Sequence, residues 1–212
     1  MTVSLDRFEL IFWDFDGVIK ESVSVKTDAF VELFKPYGKD VSDKVRRHHC
    51  ANGGVSRYVK IPLYLKWSKV EVTDEKIDEF CSKFSKIVTK KVIDSPWVPG
   101  VEDLLRKNKD KKFVLISATP QKELEEICCA LNLTHVFNKI FGSPANKSDV
   151  IKSVIVDSNT RHEKCLMIGD SSTDYNAAKD SNIKFLLLQH NDNIFLSKKM
   201  PVETVENFLD NE

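Results

Sequence analysis

The sequence predicts an α/β fold: a doubly wound, Rossmann-like parallel sheet core with an inserted all-helical cap. Three observations lead there. Phe8 to Val18 is an apolar run that ends in two carboxylates and a glycine, Asp14-Phe15-Asp16-Gly17. Beyond residue 95, short apolar runs alternate with helical patterns, the rhythm of a parallel sheet wrapped by helices. Between the two, residues 20–94 carry helical periodicity and no strand signal. The simplest arrangement is a discontinuous core (1–19 and 95–212) carrying a helical cap (20–94).

Each element has its reason. Residues 9–14 are apolar enough for a strand buried on both faces. Val25, Ala29, Phe30, Leu33 and Phe34 recur at helical spacing until Pro36 and Gly38 stop them. Segment 41–50 is a short polar helix, and 51–57 (Ala-Asn-Gly-Gly-Val-Ser-Arg) is a turn by composition. Tyr58 to Trp67 is helical, with a kink expected at Pro62. Thr73-Asp74-Glu75-Lys76 opens a long helix to about Ile93. Pro96 and Pro99-Gly100 mark the return to the core. There follow a helix over 101–108, a strand over 112–117, and a helix from Pro120, as its N1 residue, to about Leu131. A weaker strand over 137–141 and a helix over 146–157 come next. The remaining elements are a strong strand over 165–170, a helix over 173–180, a strand over 183–188 and a final helix over 202–209.

Bulk properties narrow the function. The 32 Lys+Arg balance 32 Asp+Glu, so there is no basic footprint for nucleic acid or a membrane surface. No apolar run reaches the roughly 18 residues of a membrane helix, and no secretory pattern opens the chain. The five cysteines (Cys50, Cys81, Cys128, Cys129, Cys165) have no CxxC spacing and read as reduced, mostly buried thiols. A cytoplasmic protein, monomer or homodimer, is expected. His48-His49-Cys50 are adjacent, and neighbours in sequence rarely converge on one ion.

The chemistry sits at strand ends. Asp14 and Asp16, at i and i+2, would point the same way on an extended backbone and repel each other unless a cation lies between them. Mg²⁺ is the hard, oxygen-seeking choice. The second strand ends in Ser117-Ala118-Thr119. The loop after the third carries Gly142-Ser143-Pro144-Ala145-Asn146-Lys147, and the fourth strand ends in Gly169-Asp170-Ser171-Ser172-Thr173-Asp174. In a parallel sheet all four lie on one edge. Singly, each has a plainer reading, such as a strand end, a solvated lysine or a helix cap. Together they describe a site for a phosphate held beside Mg²⁺, with Lys147 neutralising charge on the phosphorus.

This set of motifs resembles the haloacid dehalogenase superfamily of phosphatases over nearly the whole chain, and within it the group of β-phosphoglucomutase and phosphoglycolate phosphatase. The resemblance implies that Asp14 is the nucleophile, forming an aspartyl phosphate. Asp16 would be general acid and then base. Asp14, the Asp16 main-chain carbonyl and Asp170 would hold Mg²⁺, with Asp174 in support. Ser117, Ala118 and Lys147 would grip the phosphoryl group. Gly53-Gly54-Val55-Ser56-Arg57 resembles a cap loop whose arginine meets a distal phosphate, making Arg57 a substrate-binding candidate. Where the mutases carry a histidine, this chain has Lys26, a poor proton relay but a fair anion anchor, which favours hydrolysis. The expected function is thus Mg²⁺-dependent hydrolysis of a small phosphorylated metabolite, of sugar or polyol phosphate type. The alternatives are a phosphomutase or a non-catalytic phosphate-binding protein.

Overall fold

The structure, a computed structural model, describes residues 5–108, 110–191, 193–199 and 202–209. The outermost residues of the expected core, 1–4 and 210–212, lie outside these. Six parallel strands form one sheet: β1 (Leu10–Trp13), β2 (Lys112–Pro120), β3 (Lys139–Ser143), β4 (Cys165–Gly169), β5 (Lys184–Leu188) and β6 (Glu203–Val205). Their order is β3-β2-β1-β4-β5-β6. The chain therefore winds one way from β1 and the other way from β4. The crevice at such a switch point, outside the carboxyl ends of the strands, is where open α/β sheets bind ligands.

Alternation along the strands divides the core. Leu10, Phe12, Val114, Ile116 and Met167 face helices α7 (Lys147–Ser158) and α8 (Ser172–Asp180), through Ile151, Ile155 and Ala178. Ile11, Trp13, Phe113, Leu115 and Ile168 face the other way, onto α5 (Val101–Lys107) and α6 (Gln121–Ala130). All four residues of β1 are buried, as a central parallel strand requires.

Between β1 and β2 come α1 (Val23–Phe34), α2 (Lys39–Ala51), α3 (Arg57–Trp67) and α4 (Asp74–Asp94). Their shared interior is aromatic: Phe30 lies 4.1 Å from Phe84 and 5.5 Å from Tyr64, centroid to centroid. Thr73 caps α4, its hydroxyl accepting from Lys76 N–H at 3.2 Å. Pro62 sits within α3. The apolar cluster on this side of the sheet runs without a break into these helices.

Two sequence expectations are corrected. The segment expected as a final helix over 202–209 contains β6, which pairs with β5 from Leu186 to Leu188, and α9 (Ile194–Lys199) precedes it. Val202-Glu203-Thr204-Val205 alternates with period two, and Val205 is buried against the sheet edge, so pairing prevails. Pro120 ends β2, and α6 starts one residue later. Of the five cysteines Cys81, Cys128 and Cys165 are buried, while Cys50 and Cys129 are exposed; all are free thiols.

Candidate active site

Asp14 is the first residue past β1. Its N–H donates to the Ile168 carbonyl at 2.9 Å, continuing the β1–β4 ladder and delivering the carboxylate to the sheet's carboxyl edge. Lys147 opens α7, where Asn146 caps the helix by accepting from Ser148 and Asp149 N–H. From there its Nζ lies 2.9 Å from Asp14 Oδ1 and 2.5 Å from Asp174 Oδ1. Asp174 is fully buried in the first turn of α8, its Oδ2 accepting from Ser171 N–H at 3.1 Å and Ser171 Oγ at 2.6 Å. Asp170 follows β4. His190 Nε2 lies 3.0 Å from its Oδ2, and Asn193 Nδ2 donates to its main-chain carbonyl at 2.7 Å.

Asp16 takes other partners. The chain leaves the strand after Trp13 and turns at Gly17 (φ +75°). A Cβ on Gly17 would stand 2.3 Å from Asp170 Oδ2, so both backbone conformation and space call for glycine. The Asp16 side chain lies outside the carboxylate cluster formed by Asp14, Asp170 and Asp174. Its Oδ2 is 2.5 Å from Lys26 Nζ, and its Oδ1 accepts from Ser22 Oγ at 2.6 Å. Lys26 also donates to Thr119 Oγ1 at 2.6 Å. Ser117 is buried at the same edge, its Oγ accepting from Thr119 N–H at 3.1 Å.

Electrostatics separate the two aspartates. Burial, then the Asp174 charge, pushes the Asp14 carboxyl well above the usual carboxylate range. Burial also raises Asp170, with His190 pulling the other way. Burial would raise Asp16 too, but Lys26 and Ser22 outweigh it and hold that carboxyl low. Burial opposes the charge on Lys147, and Asp14 and Asp174 more than restore it, lifting its pKa above the lysine range.

One carboxylate oxygen each from Asp14, Asp170 and Asp174 lies within 4.8 Å of the others, in a buried cluster. Three carboxylates face one ammonium, an all-oxygen donor set with excess negative charge. That set fits a hard divalent cation.

The cavity over this edge is bounded by Asp14, Asp16 and Asp170 below and by helices α1 to α4 above. Ala118 and Thr119 line it, as do Lys26 and Arg57. The helical block touches the core directly: Ser56 Oγ meets Ser143 Oγ at 2.9 Å, and a Cβ on Gly54 would strike Thr173 Oγ1 at 2.0 Å. Arg57, expected to meet a substrate anion, lines the cavity and is paired there within the protein. Its Nη1 and Nη2 donate to Glu123 Oε2 and Oε1 at 2.8 and 2.6 Å, and Nη1 donates to Ser85 Oγ at 2.6 Å. The guanidinium is 4.5 Å from the Phe84 ring centroid. Glu123 lies on α6, 66 positions along the chain, so no local pattern announces the pair.

Sequence reasoning missed Lys60. It is 1% exposed, on α3, with Nζ 2.9 Å from His49 Nδ1. The available signal was its place three residues after Arg57, on the buried stripe shared with Ile61 and Tyr64.

A parallel sheet whose switch point gathers an aspartate, a lysine and further carboxylates beneath a helical roof defines a Rossmann-like enzyme with an acidic centre. The profile of the haloacid dehalogenase-like hydrolases matches residues 11–188, and the chain belongs to that family. It is 24% identical over 183 residues to a phosphorylated carbohydrates phosphatase of Thermotoga maritima, covering 83% of this chain and 82% of that one. It is 24% identical over 198 residues to a phosphoglycolate phosphatase of Colwellia psychrerythraea, covering 85% and 84%. The crystal structure of a β-phosphoglucomutase from Clostridium difficile superposes with a TM-score of 0.72 at 19% identity, over 95% and 92% of the two chains.

Proposed function

We propose that this enzyme hydrolyses a small phosphomonoester, of sugar or polyol phosphate type, through an aspartyl phosphate on Asp14, with Mg²⁺ as cofactor. The observation that carries this reading is the meeting of Asp14 with Lys147, 2.9 Å away and delivered from a different element, beside Asp170 and Asp174. An Asp14 Oδ attacks phosphorus while the bond to the alkoxy oxygen breaks. Asp16 in its protonated form donates to the leaving alcohol and afterwards takes a proton from the water that opens the acyl phosphate. The dianionic phosphoryl group beside Asp16 favours the protonated form that the first step needs, against the pull of Lys26. Lys147, Ser117 and the Ala118 main chain hold the phosphoryl oxygens. Asp14, Asp170 and the Asp16 carbonyl would hold Mg²⁺, with Asp174 in support. When bound, the ion supplies positive charge that offsets repulsion between carboxylate and phosphate.

In this reading residues 20–94 act as a cap over a core made of 1–19 and 95–212. The relatives' names, phosphorylated carbohydrates phosphatase and phosphoglycolate phosphatase, fit a small phosphorylated metabolite as substrate. A mutase reading draws on the β-phosphoglucomutase neighbour. Lys26 weighs against it, since it is ion-paired to Asp16 where a relay histidine would stand. Among the described residues no helix is long and apolar enough to cross a membrane; a cytoplasmic enzyme, monomer or homodimer, is part of the proposal.

The test is inorganic phosphate release from a phosphomonoester panel with Mg²⁺, comparing wild type and Asp14→Asn. Loss of turnover in a variant that unfolds at the wild-type temperature is expected. Retained turnover removes Asp14 from the nucleophile role, and isomerised ester without phosphate release turns the reading to a mutase.

A further inference from the structure

The cations around the cavity differ in what neutralises them. Lys147 lies between Asp14 and Asp174, Lys26 meets Asp16, and Arg57 is bidentate to Glu123. Lys60 has no carboxylate within ion-pair distance among the described residues. Its hydrogen-bond partner is the His49 ring, and it lies 5.9 Å from the Phe30 ring centroid. It lines the cavity together with His49 and is almost completely buried. An ammonium taken from water without a counter-ion is costly, and proteins keep such groups where a ligand completes them. Lys60 also occupies the buried stripe of α3, where a leucine or methionine would pack without that cost.

We propose that Lys60, oriented by His49, forms a second anion subsite that recognises a negatively charged group on the alcohol part of the substrate, a carboxylate or a second phosphate. This rests on the phosphatase reading, which puts the scissile phosphate at Asp14 and Lys147 and leaves the α3 side of the cavity to the leaving group. Burial, with Lys26 as a like-charged neighbour, pushes the Lys60 ammonium down to about 7, and a bound anion would restore its charge. Arg57, the residue first expected to read such a group, is already satisfied by Glu123. The cavity that Lys60 lines measures about 70 Å³.

The test uses three esters: 2-phosphoglycolate with a carboxylate, glycerol 1-phosphate with a neutral alcohol, and fructose 1,6-bisphosphate with a second phosphate. In wild type, kcat/KM is expected to favour one of the anionic esters over the neutral one at least tenfold, and which one identifies the anion. In Lys60→Met that ratio is expected to fall at least tenfold, with His49→Gln producing a smaller fall. Dissociation constants for the same esters, measured by calorimetry in Asp14→Asn and in Asp14→Asn with Lys60→Met, read the subsite without turnover. A ratio and a binding preference within twofold of wild type after Lys60→Met overturn the proposal. Failure of all three esters to turn over, with the Lys60-dependent binding preference intact, overturns the phosphatase reading and leaves the subsite standing.

Discussion

Lys60→Met is expected to make the protein more stable, in a pH-dependent way. The native state holds this ammonium near 7, against 10.5 for a free lysine. The gap of about 3.5 pH units, at about 1.4 kcal/mol each, amounts to about 5 kcal/mol of native-state penalty when Lys60 is charged. Below pH 7 the lysine is charged in both folded and unfolded chains, so the full penalty stands. Between 7 and 10.5 the unfolded chain binds more protons than the native one, so stability rises with pH and the penalty fades. The groups that act on Lys60 are Lys26, Asp16 and Cys50, with the His49 ring in contact. His49 is held well below its ordinary range by burial and by Lys60, and Asp16 is held low despite burial, through Lys26 and Ser22. Methionine fills similar volume without charge. Allowing for the lost bond to His49, it should stabilise by about 2–4 kcal/mol at pH 6, or roughly 4–16 °C at 2–4 °C per kcal/mol for a chain of this size. Thermal unfolding of both proteins from pH 6 to pH 10 measures it, and the difference should shrink toward zero at the alkaline end. A variant less stable than wild type at pH 6 would refute the reasoning, because the bond to His49 and the contact with Phe30 would then outweigh the buried charge. A gain in stability with a loss of substrate preference is the pattern of a residue retained for binding.

Two further outcomes follow from the same geometry. Glu123→Ala leaves the Arg57 guanidinium buried against Ser85 and Phe84 without its carboxylate, which should cost about 3–5 kcal/mol. Denaturant unfolding measures this; Glu123→Met combined with Arg57→Met should recover most of it, and a single-variant cost below about 1 kcal/mol would mean the pair is solvated. Burial and Asp174 raise the Asp14 carboxyl, so protons compete with a cation for the carboxylate cluster. Mg²⁺ should therefore raise the unfolding temperature more at pH 8 than at pH 5.5, and Asp170→Asn should abolish the effect; an equal shift at both pH values would separate the ion from these carboxylates.

The parts of the site readable in the sequence are those fixed by local rules. Asp14 follows an unbroken apolar strand, Asp170 follows another, and both arrive at the carboxyl edge because parallel strands all point one way. Lys147 follows the third strand and opens the next helix, which Asn146 caps. The errors lie where partners come from afar. The Asp16 side chain is taken up by Lys26 and Ser22 on the way into α1, partners that no pattern at Asp14-x-Asp16 announces. The three residues of β6 at a sheet edge carry too little pattern to outweigh an apolar spacing that suits a helix.

The reversed roles of Arg57 and Lys60 follow from what neutralises each. Both sit on the buried stripe of α3, three residues apart, and both line the cavity. In sequence the arginine is the conspicuous one, because it ends a glycine-rich loop. Its fork geometry suits a bidentate carboxylate, and Glu123 on α6 supplies one, so Arg57 ties the helical block to the core. That pairing leaves the α3 side of the cavity with one cation that the described protein residues do not neutralise. A ligand arriving there meets Lys60, whose charge is most stable when an anion completes it. If freeing Arg57 by Glu123→Ala restored anion preference to Lys60→Met, the guanidinium would be an interchangeable anchor; the geometry predicts that it does not, because Arg57 is held by Ser85 and the Phe84 ring as well as by Glu123.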